Sequence, residues 1–263
     1  MRSSSLITRV SAMARRLCAL GTVVVALAGL WAALVAGGQL VLLALTTGLA
    51  VGAGAEVHAR LHPGFGPVGG RRFDGFWIGP GLATVAAALV AGRLEGNLAR
   101  AAPFVGTALV AVLLFAQSRE LDVRPGERWT ALSFALVLYL VAFALFVAIY
   151  GGRTSMYTAA LAAGLCALLL AAALFRPTGA SRPRIWLFAA LLGLCTGELT
   201  LALGTWVVAG LLGGAFLLLY FYVAAGLLQA LLDGSLDARL AIEYGVVGLV
   251  GLALILTTSP WRP

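Results

Sequence analysis

The chain has 263 residues, of which 62% are hydrophobic and only 11% charged, and its mean hydropathy is +1.02. Soluble domains carry about 25% charged residues, so this composition excludes a soluble fold: no compact body of this size hides so much apolar surface from water. The formal charge of +8 comes from 18 basic residues, all arginine; they flank apolar runs singly or in twos and threes, without the interleaved aromatics of a nucleic-acid surface, and so speak for topology and anionic headgroups.

A spanning helix needs about 20 apolar residues. The pattern predicts nine, at 17–36, 39–56, 74–92, 102–118, 130–150, 155–175, 185–203, 206–232 and 241–258. Arg2, Arg9, Arg15 and Arg16 precede the first. That run exceeds the about 7–15 residues of a cleaved signal core, so it is read as a retained helix, although Val35-Ala36-Gly37 is a tolerable cleavage site. Arg15-Arg16 lacks the twin-arginine surroundings, and Cys18 lacks those of a lipoprotein site.

Two boundaries are weakly marked. Residues 17–56 hold no charge before Glu56 and divide only at Gly37-Gly38-Gln39; residues 185–232 hold only Glu198 internally and divide near Gly204-Thr205. Each block is too long for one helix and suits a hairpin of two, with glycine in the turn. Arginine placement arbitrates. With nine spans and the N-terminus inside, Arg2, Arg9, Arg15, Arg16, Arg60, Arg71, Arg72, Arg119, Arg124, Arg128, Arg176, Arg182, Arg184 and Arg239 lie inside. Only Arg93, Arg100, Arg153 and Arg262 lie outside. Fusing the first two spans inverts every later loop and destroys this asymmetry, so the positive-inside rule favours two early helices. Phe73, Phe76 and Trp77, then Trp129, Trp186 and Trp206, stand at span ends, where such rings meet headgroups.

The expected fold is therefore an all-α polytopic transmembrane bundle of about nine helices. Its N-terminus is cytoplasmic and its C-terminus outside. It forms a single integral membrane domain over residues 1–263, because the longest loop, about 57–73, is too short for a soluble domain. Small residues four apart recur at Gly48 and Gly52, Gly193 and Gly197, and Gly210 and Gly214. They are read as helix-packing faces within one subunit, with homodimerisation as the alternative.

Few residues can carry chemistry. Glu198, in Leu194-Cys195-Thr196-Gly197-Glu198-Leu199-Thr200, lies inside the seventh span. A carboxylate there costs about 2.5–3.5 kcal/mol on insertion scales and marks a functional site by default. It is expected to face the bundle, with Thr196 and Thr200 lining the same pocket and Gln39, Arg93 or Arg100 as partner. A hydrogen bond that fixes helix register is the competing, purely structural reading.

Glu56, His58 and His62 cluster at the end of the second span, but their spacing does not put all three on one helical face and no second cluster completes a metal site. Gly64-Phe-Gly-Pro-Val-Gly69 matches the GxGxxG spacing without the preceding strand that nucleotide binding needs. With Arg71 and Arg72 behind it, this loop is read as a headgroup or partner contact. Asp233-Gly-Ser-Leu-Asp-Ala-Arg239 resembles the metal motif of CDP-alcohol phosphotransferases but lacks the other aspartates, so no two-metal site forms; Asp237 is read as a helix cap and Glu243 as a first-turn acid. Cys18, Cys166 and Cys195 lie singly in apolar runs and are read as free thiols. No catalytic, cofactor or metal residue is assigned.

Glu198, Tyr220-Phe221-Tyr222, Gln229, Ala238-Arg239, Glu243-Tyr244 and Trp261-Arg262 together resemble the C-terminal part of an uncharacterised family of bacterial multi-pass membrane proteins, over roughly 185–263. The resemblance implies a bacterial inner-membrane protein and no activity. Three functions are in play: an accessory or scaffold subunit of a membrane complex, a small transporter or channel using Glu198, and a membrane enzyme acting on a lipid-linked substrate. The first is favoured over the enzyme, which needs clustered acids or histidines at one interface. Its expected partners are the bilayer and other membrane subunits or a second copy, with no nucleic acid.

Overall fold

Apolar runs without access to water become helices, because each main-chain amide must then be satisfied within its own segment. The computed structural model describes residues 2–35, 39–62, 75–122, 128–152, 155–205 and 210–258. Among them there is no strand. The helices in chain order are α1 (Arg2–Val35), α2 (Leu40–Arg60), α3 (Ile78–Ala91), α4 (Gly96–Asp122), α5 (Arg128–Tyr150), α6 (Met156–Phe175), α7 (Arg182–Gly204), α8 (Gly210–Leu232) and α9 (Ala238–Thr258). Eight of these are long and apolar enough to cross a bilayer. Both weak boundaries divide as expected, with α1 ending at Val35 and α7 at Gly204.

The third span differs. Expected over 74–92, it is a helix of only 14 residues, about 21 Å long against about 30 Å of hydrocarbon. Pro80 sits in its first turn, where a missing amide costs nothing. Ten of its residues are buried, so this helix meets protein instead of lipid and has no need to match the bilayer's thickness.

The chain divides into two compact units, Met1–Leu138 and Tyr139–Pro263, with the division inside α5. The first is organised around α3. A Cβ added to Gly48 of α2 would stand 2.9 Å from the Gly81 carbonyl oxygen, and one added to Gly81 would stand 2.9 Å from that of Gly48. Gly52 faces the Trp77 carbonyl in the same way, at 3.0 Å. Glycine lets the two backbones touch, which is how helices gain van der Waals contact where no hydrophobic drive separates protein from lipid. On the other side of α3, Gly106 of α4 receives Ala87. Between α1 and α2, Gly29 receives Thr47 and Gly54 receives Thr22. Leu30, Ala33, Ala44 and Ala88 form a buried cluster toward the Val35 end.

The second unit is built on the α6–α7 hairpin. Added Cβ atoms at Gly164 and Gly193 would lie 2.9 and 2.7 Å from each other's carbonyl oxygens, and one at Gly197 would lie 3.2 Å from that of Ala160. Gly210 meets Gly151 and Gly214 meets Val147 in the same unit. Aromatic rings fill the space between α5, α8 and α9: Phe146 and Tyr139 meet Phe221 at 5.8 and 6.1 Å, and Tyr222 lies 5.2 Å from Tyr139 and 5.5 Å from Tyr244. Gly179 and Gly234 adopt left-handed φ values of 69° and 66°, a conformation that L side chains resist. The first ends the 3-10 turn Arg176–Thr178 after α6, and the second reverses the chain after α8. Asp237 immediately precedes α9, with its Oδ1 2.6 Å from the Ala238 amide. Glu243, expected in the first turn of α9, is its sixth residue and instead binds Arg239 one turn back.

Candidate functional site

The sequence of α7 assigns three faces at helical spacing. Gly193 and Gly197 meet α6. Leu192, Thr196 and Thr200 are buried. Leu187, Leu191, Leu194 and Glu198 recur at intervals of four, three and four, and all are exposed. Glu198 therefore continues an outward leucine stripe, six residues and about 9 Å before the helix ends at Gly204.

This overturns the expectation of a bundle-facing carboxylate sharing a pocket with Thr196 and Thr200. Both threonines point inward and donate to carbonyls of their own helix, Thr196 to Leu192 at 2.7 Å and Thr200 to Thr196 at 2.8 Å. In a membrane interior, satisfying a hydroxyl on the preceding turn is the cheapest way to bury it. Nothing comparable serves Glu198, which makes no hydrogen bond or ion pair among the described residues. Its neighbours at the α8 side are Cys195 on its own helix and Tyr220, which interacts with both.

On its other side Glu198 borders a groove of about 400 Å³ along the outer seam of α6 and α7. The glycines Gly164, Gly193 and Gly197 form its floor, and Tyr157, Leu161, Leu165, Leu194 and Leu201 rise around it. Close backbone approach at the floor is what makes the seam a groove, since the leucine walls project past glycines that project nothing. The result is an apolar channel with one acidic group on its wall. Chemically it suits an apolar segment bearing a hydrogen-bond donor or a cation, which would relieve the cost of an unpartnered carboxyl group at this depth.

The remaining sequence candidates fall elsewhere. Gln39 precedes α2 in the first unit, exposed and making no side-chain cap bond. Arg93 and Arg100 are exposed residues of that unit. Arg71, Arg72 and the glycine-rich loop 64–69 lie outside the described residues. Gly48 and Gly52 stand at the α2–α3 contact, Gly193 and Gly197 at the α6–α7 contact.

A second polar constellation ties α1, α2 and α4 together. His58 is hydrogen-bonded through Nδ1 to the Arg15 carbonyl at 3.2 Å and through Nε2 to the Ser118 hydroxyl at 2.9 Å. A carbonyl only accepts, so Nδ1 carries a proton. Ser118 also lies 2.8 Å from the Leu114 carbonyl, so its single hydroxyl proton serves either that oxygen or His58 Nε2. Next to it, Gln117 is buried and donates from Nε2 to the Phe76 carbonyl at 2.9 Å. Glu56 pairs with Arg60 at 3.0 Å, so Glu56 and His58 serve different neighbours. Sequence reasoning passed over Gln117 and Ser118. The signal was present in Phe115-Ala116-Gln117-Ser118, the one amide-bearing side chain at the end of an otherwise apolar fourth run.

The fold and these sites define an integral-membrane helix bundle. Residues 18–258 match the family described as a protein of unknown function, DUF5656, and the chain belongs to that family. The family likeness thus covers nearly the whole chain, well beyond the C-terminal stretch from 185 in which the sequence resemblance lay. No curated protein and no solved structure matches the chain.

Proposed function

We propose that the protein is an accessory or scaffold subunit of a membrane complex in a bacterial inner membrane, and that the α6–α7 groove receives a transmembrane helix of its partner. The observation that carries this reading is the orientation of Glu198. The buried hydroxyls of Thr84, Thr107, Thr196 and Thr200 and the Gln117 amide nitrogen donate to main chain, while the carboxyl group inside α7 is turned outward beside an apolar groove and makes no hydrogen bond or ion pair among the described residues. A transporter would hold its coupling carboxylate between helices, facing a substrate path. A group facing out from the seam instead serves contact with another chain.

The test is native mass spectrometry of the wild type and of Glu198→Gln, each extracted gently from its own membrane. A partner chain at fixed stoichiometry, retained by the wild type and lost or weakened in the variant, is the expected result. A lone monomer in both cases overturns the reading. An intact complex in the variant combined with loss of solute flux would favour the transporter, and two copies of the chain in contact through the groove would make the partner a second copy.

A further inference from the structure

We propose that the first unit carries a binding site for one phospholipid with an anionic headgroup, in the groove between α1, α2 and α4. This site is independent of the Glu198 groove and of the function proposed for it. The cavity is about 410 Å³ and is lined by Arg16, Ala19, Leu20 and Val23 of α1, His58 of α2, and Ala111, Leu114, Phe115 and Ser118 of α4.

The lining is graded. Arg16, His58 and Ser118 lie at one end; from there Arg16 to Val23 and Ser118 to Ala111 each cover seven residues, about 10 Å along the helices, and everything beyond the polar end is apolar. A groove with this grading fits an amphiphile lying along the membrane normal, its chain against Leu20, Val23, Leu114 and Phe115.

The polar end sets the sign of the headgroup. Arg16 is exposed at the mouth. Arg119, also exposed, holds its guanidinium 5.3 Å from the centre of the Phe115 ring, and so stands beside the same mouth. Arg15 contributes a third cation, with its Nε buried and without a hydrogen-bond partner. Glu56 on α2 is held by Arg60; Glu120 and Asp122 follow Arg119 in the last turn of α4, and the charged residue lining the groove itself is Arg16.

Arg16 and Arg119 fall at the edges of the apolar spans Ala12–Val35 and Gly96–Arg119, the level at which phosphate groups lie. Guanidinium groups bind phosphate oxygens in pairs and suit this task better than a diffuse surface charge. His58 locks the three helices together at the mouth through its bonds to Arg15 and Ser118, so the site is held open by a bond network and does not have to be formed by the lipid.

The experiment is native mass spectrometry of the full chain released from nanodiscs of mixed phosphatidylglycerol and phosphatidylcholine. The wild type is expected to keep one phosphatidylglycerol at activation energies that strip phosphatidylcholine. Arg16→Gln with Arg119→Gln is expected to lower that retention by about tenfold or more. The charge-matched control Arg93→Gln with Arg100→Gln, at and just before the start of α4 and so at the end away from Ser118, is expected to leave it unchanged. Ala111→Leu, which fills the apolar part, is expected to remove bound lipid of either kind with the arginines intact.

Equal retention of the two lipids by the wild type overturns the proposal, as does a loss in the control pair equal to that in the double variant. Displacement of the bound lipid by millimolar glycerol phosphate also overturns it, because the site would then read the free phosphate and not the lipid. Circular dichroism of each variant separates loss of binding from loss of fold.

Discussion

Both units press glycine backbones together and turn hydroxyls back on their own helices, and they differ in where their other polar side chains go. In the first, side chains reach across helices to main-chain carbonyls: Gln117 to Phe76, His58 to Arg15, and Cys18 Sγ to Gly54 at 3.5 Å. In the second, glycine backbones press together at Gly164, Gly193 and Gly197, hydroxyls turn back on their own helix, and aromatic rings fill the remaining space. Across its helices Tyr150 Oη donates to the Leu203 carbonyl at 2.9 Å. The first unit adds its cross-helix bonds to glycine contacts as close as those of the second, Gly48 against Gly81 at 2.9 Å. Backbone contact demands small residues and leaves a seam flanked by leucines. The comparison teaches that a membrane bundle can spend its polar side chains on bonds between helices, as Gln117 and Tyr150 do, or leave one facing outward, as Glu198 is.

The contrast can be broken most forcefully at the glycine seam. Gly193→Val places a Cβ about where Leu168 Cβ and the Gly164 carbonyl already lie, at 2.8 and 2.7 Å. Overpacking of this kind costs about 1–3 kcal/mol and occasionally more, so a clear fall in thermal unfolding temperature in detergent is expected. Gly48→Val should act the same way in the first unit, against the Gly81 carbonyl and Val85. If both variants melt like the wild type, close backbone approach is not what holds either unit.

Next in size is the polar fastener. Gln117→Leu removes the bond to Phe76, and hydrogen bonds between membrane helices are worth about 0.6 kcal/mol on average and up to about 1.7. Because Gln117 Oε1 is itself buried without a partner, the expected loss lies at the lower end. A gain in stability would show that this amide costs more than it contributes. Thr196→Val should change stability by less than about 0.5 kcal/mol, because its hydroxyl serves only its own helix. The smallest effect on the isolated protein is expected from Glu198→Gln, whose side chain holds nothing in place; its consequence should appear in partner retention. A large drop in melting temperature for Glu198→Gln would return this residue to a structural role.

Much of the fold was legible. The ends of α1, α2, α7 and α8 fall where glycine and arginine interrupt the apolar runs, because those are the residues that turn a chain and that cannot enter hydrocarbon. The third helix was legible in position but not in length. Its alanine and glycine content reads as a span of ordinary hydropathy, whereas its shortness follows from being surrounded by α2 and α4.

The site was legible in identity alone. Glu198 is conspicuous as the acid within the block 185–232, yet its direction was misread, and so were Thr196 and Thr200 as its companions. The groove beside His58 was not legible, because Arg16, His58 and Phe115 are far apart in the chain and only packing brings them together.

The sequence by itself determined that this chain has membrane-spanning character, that it is all helix among the described residues, and the order of its nine helices, though α1 begins at Arg2 and α4 reaches from Gly96 to Asp122, beyond the apolar runs expected at 17–36 and 102–118. Cost decides those properties: an unbonded amide or a bare arginine in hydrocarbon is too expensive for any alternative to compete. Only the tertiary structure decided which face of each helix meets protein and which meets lipid. In water an apolar stripe announces the buried face, but in a bilayer lipid tails are as apolar as leucine, so both faces of α7 are written in the same residues. The direction of Glu198, and with it the function proposed for this protein, rests on the glycines that fit against Gly164 and Ala160.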